Sequence, residues 1–234
     1  MARIVLPETG DNRLVTGWDR LLFEAYGFRD VIDVGANTGG HVGAWLGRGA
    51  RMVHAIEPVP SCFAQLSVRF AGDPRVICHR LGVSDAPGAL SEVNVFNCWT
   101  LLPEASRRLD RAVEFVGVPP FSVELRTLDD LIDSWVGFWP DFIKIDVDGY
   151  EVKALRGARR IIAARRPVIM LELSYLPDAL GDCCECMVRD LFRAGYVMTM
   201  LNGGRRHTTV KDVMRGYPWD TSFDVICEPV DGPL

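Results

Sequence analysis

Long apolar runs are missing from this sequence. No stretch approaches the ~18 apolar residues that a membrane-spanning helix needs. The first residues also reach Pro7, Glu8 and Asp11 before any run of signal-peptide length develops. We therefore expect a soluble, cytoplasmic protein that has no membrane partner.

An excess of positive charge is missing as well. The chain has 26 Lys and Arg residues against 31 Asp and Glu residues, for a net charge of -5. Nonspecific nucleic-acid binding depends on neutralising phosphates with basic side chains, so we expect no nucleic-acid partner. We expect a small-molecule substrate instead.

Low-complexity segments and internal repeats are also absent. Hydrophobic residues make up 48% of the chain, which excludes a mainly disordered protein. A length of 234 residues lies near the upper end of what one hydrophobic core supports. We expect a single domain over residues 1–234, and the sequence leaves its oligomeric state open.

The number and spacing of the cysteines do not indicate a fold that is stabilised by disulfides. Their number, seven, is odd, and most are scattered through apolar segments, so we expect reduced thiols. A zinc site at Cys183, Cys184 and Cys186 would need a second Cys or Cys/His pair at matching spacing, and the sequence has none. We expect these three cysteines to be ordinary residues of a helix face.

Apolar runs of strand length alternate with amphipathic stretches of helix length over most of the chain. This alternation predicts an α/β fold in which a mostly parallel sheet carries helices on both faces. The predicted strands are Val31–Val34, Met52–Ile56, Val76–His79, Phe142–Asp146, Val168–Leu173, Tyr196–Leu201 and Phe223–Cys227. The predicted helices include Trp18–Tyr26, Gly40–Leu46, Ser61–Phe70, Glu151–Ala164 and Cys184–Ala194.

Three segments depart from this alternation. Residues 1–30 are predicted to form an N-terminal helical segment. Residues 92–123, with a short charged helix near Glu104–Arg111, are predicted to be an insertion over the edge of the sheet. No long helical pattern separates Leu201 from Phe223, so we expect the last two strands to pair antiparallel through a hairpin-like connection.

The first predicted strand runs into a glycine-rich turn that opens a helix. This context is typical of a cofactor loop, and ligands bind beyond the carboxyl ends of such strands. Gly35 and Gly39 permit left-handed backbone angles and the close approach of a ligand. Glu57 ends the second strand 24 positions after Asp33, near the roughly 20 expected for a carboxylate that binds ribose hydroxyls.

The same turn favours a cofactor without phosphates. Asn37 stands where the dinucleotide motif requires a second glycine for contact with pyrophosphate. Asp33 would repel pyrophosphate, but it could hold the ammonium group of an amino-acid tail. S-adenosylmethionine combines adenosine, an amino-acid tail and a positive sulfonium, and it lacks phosphate.

Several spaced motifs resemble those of the FkbM-type methyltransferases over about residues 30 to 175. They are Asp33-Val34-Gly35-Ala36-Asn37-Thr38-Gly39, Glu57-Pro58, Ser84-Asp85, Thr127-Leu128-Asp129-Asp130-Leu131 and Phe142-Ile143-Lys144-Ile145-Asp146-Val147-Asp148-Gly149-Tyr150-Glu151.

This resemblance implies a Rossmann-like class I methyltransferase that uses S-adenosylmethionine and has a seven-stranded sheet with an antiparallel last strand. Many members methylate hydroxyl groups on sugars, polyketides and other natural products. Ser84 and Asp85 would then lie near the adenine. The complete set of expected cofactor-binding residues is Asp33, Gly35, Ala36, Asn37, Gly39, His41, Glu57, Pro58, Ser84 and Asp85.

Three carboxylates are the candidate catalytic residues. Asp146 and Asp148 follow the fourth parallel strand, and Glu172 ends the next one. An alcohol needs a base or a metal before it attacks a methyl group, and a cluster of carboxylates could also bind magnesium. Alternation places Lys144 on the same face as Asp146, which favours an ion pair between them. Helix capping is a structural alternative for Asp148.

We therefore predict a methyltransferase that modifies a hydroxyl group on a small natural product or sugar. Methylation at nitrogen, on an amine or a peptide side-chain amide, is the nearest alternative. A nicotinamide-dependent oxidoreductase and a non-catalytic binding protein are the other classes left open. His54 lies within a predicted strand, and we expect it to be a hydrogen-bonded core residue.

Overall fold

The computed structural model describes residues 27–96, 100–102, 120–201, 204–215, 217 and 222–230. The predicted helices Trp18–Tyr26 and Glu104–Arg111 lie outside these residues. The described strands are β1 (Asp30–Val34), β2 (Met52–Ile56), β3 (Val76–His79), β4 (Gly82–Val83), β5 (Gly88–Phe96), β6 (Thr100–Leu102), β7 (Phe121–Arg126), β8 (Phe142–Ile145), β9 (Val168–Ser174), β10 (Tyr196–Met200), β11 (Arg206–His207) and β12 (Ser222–Pro229).

The described helices connect and cover these strands. They are α1 (Gly40–Gly47), α2 (Pro60–Arg69), α3 (Leu128–Ser134), α4 (Glu151–Arg156), α5 (Arg159–Arg165), α6 (Leu176–Ala179), α7 (Cys184–Arg193) and α8 (Val210–Arg215). None of them is long and apolar enough to cross a membrane.

The main sheet has the strand order β3-β2-β1-β8-β9-β12-β10-β11. Strands β3, β2, β1, β8 and β9 pair parallel, and β12 pairs antiparallel with both β9 and β10. The predicted α/β class and antiparallel closing strand are therefore confirmed. The sheet has eight strands instead of seven, because the two-residue strand β11 adds to the edge beside β10.

The connection between the last two predicted strands is less simple than a hairpin. It contains β11 and the six-residue helix α8. The ends of the predicted insertion, residues 92–123, belong to a second sheet of order β4-β7-β5-β6. Strand β5 of this sheet begins at Gly88, before the predicted start of the insertion.

The core lies on both faces of the main sheet. Strand β1 is buried at every position, and its side chains alternate between two apolar clusters. Ile32 and Val34 pack on the face covered by α4, α5 and α7, whereas Val31 packs on the face covered by α1 and α2. Burial on both faces explains why the parallel strands are continuous apolar runs.

The order of the strands creates a switch point between β1 and β8. From β1 the chain continues outward to β2 and β3, and it later returns to the other side of β1 through β8 and β9. In open α/β sheets the crevice beyond the carboxyl ends of strands at such a point binds ligands.

The prediction of one continuous helix over Glu151–Ala164 is wrong, because the structure has two helices, α4 and α5, which are separated at Gly157. The Asp129 carboxylate accepts hydrogen bonds from the backbone N–H groups of Arg160 (2.8 Å) and Ile161 (3.0 Å), so it caps the start of α5. The Gly157 carbonyl oxygen in turn accepts from the Asp129 backbone N–H at 2.8 Å. The break therefore rests on contacts with α3 that no local pattern contains.

The expectation that all cysteines are reduced is wrong for two of them. Cys183 and Cys186 form a disulfide at the start of α7, where a separation of three residues places their Cα atoms 5.2 Å apart. Cys184 is a buried thiol on the inner face of the helix. In the described part of the chain Cys62, Cys78, Cys184 and Cys227 take no part in a disulfide.

The break at Gly157 predicts a steric effect of substitution. A Cβ atom at Gly157 would lie 2.1 Å from the Ser84 carbonyl oxygen, although the φ of -76° suits any residue. We expect Gly157→Ala to lower the free energy of unfolding by about 1–3 kcal/mol, since backbone must move. Urea denaturation measures this loss.

Gly47→Ala is the matched control. A Cβ atom at Gly47 has no neighbour within 4 Å. Gly47 is the last residue of α1, and like Gly157 it has no left-handed backbone angle. We expect Gly47→Ala to leave stability unchanged or to raise it by up to about 1 kcal/mol. Equal effects of the two substitutions would contradict the steric explanation.

Candidate active site

A cavity of about 550 Å³ opens at the carboxyl edge of the main sheet, over the switch point. The turn after β1, the loop after β2, the loop after β8 and one side chain of β9 form its walls. The lining residues are Gly35, Ala36, Asn37, Thr38, Gly40, His41, Glu57, Pro58, Lys144, Asp146, Val147, Asp148 and Glu172.

The turn after β1 is held by hydrogen bonds to the neighbouring strand. The backbone N–H groups of Gly35 and Ala36 both donate to the Ile56 carbonyl oxygen at 3.0 Å. The backbone N–H of Asn37 donates to Glu57 Oε2 at 2.8 Å. The end of β2 therefore fixes the first half of the turn.

The second half of the turn closes on itself. Asn37 is in the left-handed region (φ 52°), and its side-chain Oδ1 accepts from the Thr38 backbone N–H at 2.7 Å. The Gly39 backbone N–H donates to the Ala36 carbonyl oxygen at 2.8 Å. Every backbone N–H of residues 35–39 thus has a partner within the protein, which leaves these five without a spare donor for a phosphate group.

The two glycines of the turn are required by protein contacts. Gly35 (φ 82°) and Gly39 (φ 81°) are both left-handed, as predicted. A Cβ atom at Gly35 would lie 1.9 Å from the Asp146 carbonyl oxygen, and one at Gly39 would lie 2.4 Å from Phe70 Cε2. The close approach that we expected from a ligand is therefore made here by the loop after β8 and by the Phe70 side chain.

Glu57 is almost completely buried where the first two strands end, with 5% of its surface exposed. Besides its bond from Asn37, it accepts a hydrogen bond at Oε1 from the Val59 backbone N–H at 2.7 Å. Burial raises the pKa of the Glu57 carboxyl, and the two backbone hydrogen bonds oppose this shift. Each oxygen keeps one lone pair for a ligand in the cavity.

Lys144 forms the charged floor of the cavity. Its Nζ lies 3.3 Å from Asp33 Oδ1 and 3.2 Å from Asp146 Oδ2, and it donates to the Gly35 carbonyl oxygen at 3.1 Å. The predicted pair with Asp146 is therefore confirmed, while Asp33 and the carbonyl are partners that the sequence did not indicate. Burial alone would lower the pKa of Lys144, but the two carboxylates raise it above its ordinary value.

Asp33 lies beneath the cavity and does not line it. The side chain is completely buried, and within the described residues neither oxygen has a hydrogen-bond partner. Its counter-charge is Lys144, so the position that we expected to hold an amino-acid tail is occupied in the structure by a lysine side chain.

The three candidate catalytic carboxylates, Asp146, Asp148 and Glu172, line the same cavity. Burial, and next the charge of Asp146, raise the pKa of Glu172 to about 8, while a hydrogen bond with the Ser222 side chain lowers it. The N-cap residue of α4 is Tyr150, two positions after Asp148, and the Tyr150 side chain makes no capping hydrogen bond.

Glu151 is a site residue that sequence reasoning missed. It is completely buried, and it accepts hydrogen bonds from the backbone N–H groups of Val147 (3.0 Å) and Gly149 (2.9 Å). Burial raises its pKa to about 7. Glu151 therefore shapes the loop in which Asp148 adopts a left-handed backbone (φ 51°). Its only sequence signal is an acidic residue at the end of the motif that follows β8.

The remaining predicted cofactor residues fall into two groups. Ala36, His41 and Pro58 line the cavity. Ser84 and Asp85 do not: Ser84 is buried, and its Oγ donates to Asp85 Oδ1 at 3.2 Å. A small apolar cleft lies beside the cavity, shares Gly35, Pro58 and Val147 with it, and has Leu81, Gly82 and Val83 in its wall.

One further expectation concerns a residue outside the cavity. His54 is buried, and its Nδ1 lies 3.0 Å from His79 Nε2, as expected for a hydrogen-bonded core histidine. Burial lowers the pKa of His54 to about 3 and that of His79 to about 4. In the described part of the chain, no three His, Cys, Asp or Glu side chains are grouped so that they could hold a metal ion.

We expect the protein to lose much of its stability when the buried cation at the floor of the cavity, Lys144, is removed. Lys144→Met would leave the buried Asp33 charge uncompensated, and we expect the free energy of unfolding to fall by about 3–5 kcal/mol. Adding Asp33→Asn should recover part of this loss, since the unpaired charge is then gone. Urea denaturation of both variants measures the difference.

Lys153→Met is the control for the loss of a lysine. Lys153 Nζ lies 3.8 Å from Asp182 Oδ2, and its side chain is 33% exposed. We expect this substitution to cost less than about 1 kcal/mol, as for other surface ion pairs. A Lys144→Met variant as stable as Lys153→Met would show that the buried triad does not hold this edge of the sheet.

Comparison with solved structures identifies proteins with a similar fold. A methyltransferase FkbM from Methylobacillus flagellatus KT is 19% identical with a TM-score of 0.53, covering 94% of this chain and 56% of that chain. Cofactor-bound Rv0187 from MTB is 16% identical with a TM-score of 0.52, covering 96% of this chain and 83% of that one. An rRNA methylase from Streptococcus thermophilus is 11% identical with a TM-score of 0.51, covering 95% and 100%. At these identities the likeness concerns the fold alone.

Comparison with curated protein sequences finds no significant match. The sequence profile described as the methyltransferase FkbM domain matches residues 33–198. The match spans the glycine turn, Glu57, the strand with Lys144 and Asp146, and Glu172, which together line the cavity. This protein therefore belongs to the FkbM methyltransferase family.

Proposed function

We propose that this methyltransferase uses S-adenosylmethionine and transfers the methyl group to a hydroxyl of a small molecule, such as a sugar or another natural product. The observation that carries the proposal is a cavity whose glycine turn has no spare N–H group over residues 35–39 and whose walls are acidic. Such a cavity suits a phosphate-free cation and disfavours a pyrophosphate.

The charges around the cavity fit this cofactor. Glu57, Asp146, Asp148 and Glu172 line it, and Lys144 is the one Lys or Arg among its described lining residues. Since Lys144 already contacts two carboxylates and a carbonyl oxygen, it has little to offer an anion. The carboxyl oxygens that line the cavity favour the sulfonium and ammonium groups of S-adenosylmethionine, and binding of this cation in turn favours the charged form of Glu172.

Glu57 is the residue that we assign to the ribose. Two backbone N–H groups hold its carboxylate rigidly at the end of β2, and the free lone pairs can accept hydrogen bonds from two hydroxyl groups. Gly35, Pro58 and Val147 would guide the base toward the apolar cleft beside the cavity, near Val83. Ser84 and Asp85 would then support this cleft without lining the cavity.

When bound, S-adenosylmethionine supplies a methyl group that is activated by a positive sulfur. The acceptor hydroxyl must lose its proton as it attacks, so one carboxylate has to accept that proton. Glu172 is our candidate for the base. Its pKa of about 8 makes it a stronger base than an ordinary carboxylate, whereas Asp146 is paired with Lys144.

The same acidic walls would bind an amine as its ammonium ion, and a carboxylate would have to remove its proton before the nitrogen attacks. Methylation at nitrogen is therefore the second candidate. We keep a small molecule as the substrate and no nucleic acid, since the rRNA methylase shares the fold alone. We also keep the cytoplasm as the expected location.

Titration calorimetry tests the cofactor assignment. We expect S-adenosylmethionine to bind the full-length protein and NAD not to bind. Glu57→Ala should weaken binding by about 10–100-fold, because a charge-assisted hydrogen bond contributes about 1.5–3 kcal/mol. Binding of NAD alone, or no binding of either compound, would contradict the proposal.

Glu124→Ala is the control for the loss of one negative charge. Glu124 is exposed on β7, and it does not line the cavity. We expect this variant to bind S-adenosylmethionine like the wild type. Thermal melting of both variants checks that Glu57→Ala, which also loses two loop hydrogen bonds, is still folded.

Proton release tests the role of Glu172 without a known acceptor. At pH 7 a group with a pKa near 8 is mostly protonated, and a bound cation lowers that pKa. We therefore expect S-adenosylmethionine binding to release a fraction of a proton, seen as different binding heats in buffers of different ionisation enthalpy. Glu172→Gln should remove most of this release.

Asp148→Asn serves as the comparison, since Asp148 lines the same cavity on another loop. We expect it to retain most of the proton release. A Glu172→Gln variant that releases as many protons as the wild type would exclude Glu172 as the group that titrates in this cavity.

A further inference from the structure

The disulfide between Cys183 and Cys186 lies at the N-terminus of the ten-residue helix α7. Cys183 is the N-cap residue, and its Sγ accepts a hydrogen bond from the Cys186 backbone N–H at 3.2 Å. Both side chains are half-buried, so a reagent can reach the sulfur atoms from solvent. This arrangement belongs neither to the cavity nor to methyl transfer.

We propose that Cys183 and Cys186 form a reversible thiol–disulfide exchange site, whose reaction partner is a dithiol. The redox state of this site determines how well ordered the loop with Asp148, residues 147–150, is. The proposal does not depend on the cofactor or on the methyl acceptor.

The exchange is balanced by the dithiol. A thiolate of the dithiol attacks Cys186 Sγ, the bond between the two protein sulfurs breaks, and Cys183 leaves as a thiolate. The second thiol of the reagent then attacks the mixed disulfide and releases Cys186, so that the reagent is oxidised to a disulfide and the protein gains two thiols. In the reverse reaction the Cys186 thiolate opens the oxidised reagent to form the mixed disulfide, and the Cys183 thiolate then attacks Cys186 Sγ and expels the reagent as a dithiol.

The geometry favours Cys183 as the sulfur that leaves Cys186 on reduction and attacks Cys186 Sγ on oxidation. The Cys186 backbone N–H and the positive end of the helix dipole both stabilise a thiolate at the N-cap. The neighbouring acidic side chains are paired: Asp182 accepts from Arg156 Nη1 at 2.8 Å, and Glu185 pairs with Arg189 one turn later. Their repulsion of a thiolate is therefore reduced.

Cys184, between the two cysteines, does not take part in the exchange. Its thiol is buried, and burial raises its pKa to about 12. A thiol with this pKa forms almost no thiolate at neutral pH. The exchange is therefore restricted to the Cys183–Cys186 pair.

Hydrogen bonds connect this site with the end of β9. The Cys184 backbone N–H donates to Asp178 Oδ1 at 3.1 Å, and the Tyr217 hydroxyl donates to Asp178 Oδ2 at 2.7 Å. The same hydroxyl contacts the carbonyl oxygen of Ser174, which ends β9 two residues after Glu172. Opening the disulfide loosens the chain at one end of this network.

Side-chain packing connects the same segment with the loop after β8. A Cβ atom at Gly149 would lie 2.7 Å from Leu180 Cδ1 and 3.1 Å from Leu176 Cβ. Both leucines therefore pack closely against this glycine. Gly149 follows Asp148, which lines the cavity. A change at the start of α7 therefore reaches the cavity through the segment that contains α6.

Redox titration of the folded full-length protein tests the exchange. The protein is equilibrated in mixtures of reduced and oxidised dithiothreitol, quenched with acid, alkylated and mapped by mass spectrometry. We expect one two-electron transition between linked and doubly alkylated Cys183 and Cys186, with the same midpoint from both directions. A disulfide that is reduced only in denaturant, or that fails to re-form, would overturn the proposal.

Two single variants identify the nucleophile, and a third is the control. Cys183 in the Cys186→Ser variant should react with iodoacetamide at pH 7 about fivefold or more faster than Cys186 in the Cys183→Ser variant, because the N-cap position stabilises the Cys183 thiolate. Equal rates would contradict the assignment of Cys183. Cys78→Ser removes a free cysteine from β3, away from α7, and should leave the redox transition unchanged.

Hydrogen exchange tests the connection with the cavity. On reduction of the wild type we expect faster amide exchange at residues 183–187 and 147–150, with no change in β2. Unchanged exchange at 147–150 would show that the redox state does not reach the loop of Asp148.

Discussion

The buried ion cluster of Lys144 with Asp33 and Asp146 is the interaction on which the active-site edge depends. It joins β1 to β8, the two strands that flank the switch point. Lys144 also donates a hydrogen bond to the carbonyl oxygen of Gly35, so the same side chain fixes the start of the glycine turn. A completely buried aspartate and a buried lysine would each be costly alone, and their mutual contact makes both possible.

Two other acids hold the loops that surround this cluster. Glu57 accepts two backbone N–H groups from the loops after β1 and β2, and Glu151 accepts two from the loop after β8. Each carboxylate therefore satisfies donors that a tight loop cannot satisfy within itself. Asp148, on the loop after β8, and Glu172, on β9, line the cavity that these loops enclose.

The closed glycine turn and the acidic lining of the cavity both disfavour an anionic ligand. The N–H groups of residues 35–39 are used by Ile56, Glu57, Asn37 and Ala36, so the turn offers none of the five to an anion. The carboxylates that remain around it repel anions as well. Both features differ from the glycine-rich turn of dinucleotide-binding proteins, which offers backbone N–H groups to a pyrophosphate.

The sequence by itself determined seven of the eight strands of the main sheet, the glycine turn, the place of Glu57 after the second strand and the pairing of Lys144 with Asp146, because alternation and spacing are local properties. Only the tertiary structure decided that Asp33 lies under the cavity, that Ser84 and Asp85 lie outside its lining, and that Glu151 holds a loop. The same is true of the break at Gly157, which depends on Ser84 and Asp129 from other parts of the chain. Such contacts join residues that are far apart in sequence, and local patterns carry no record of which distant groups will meet.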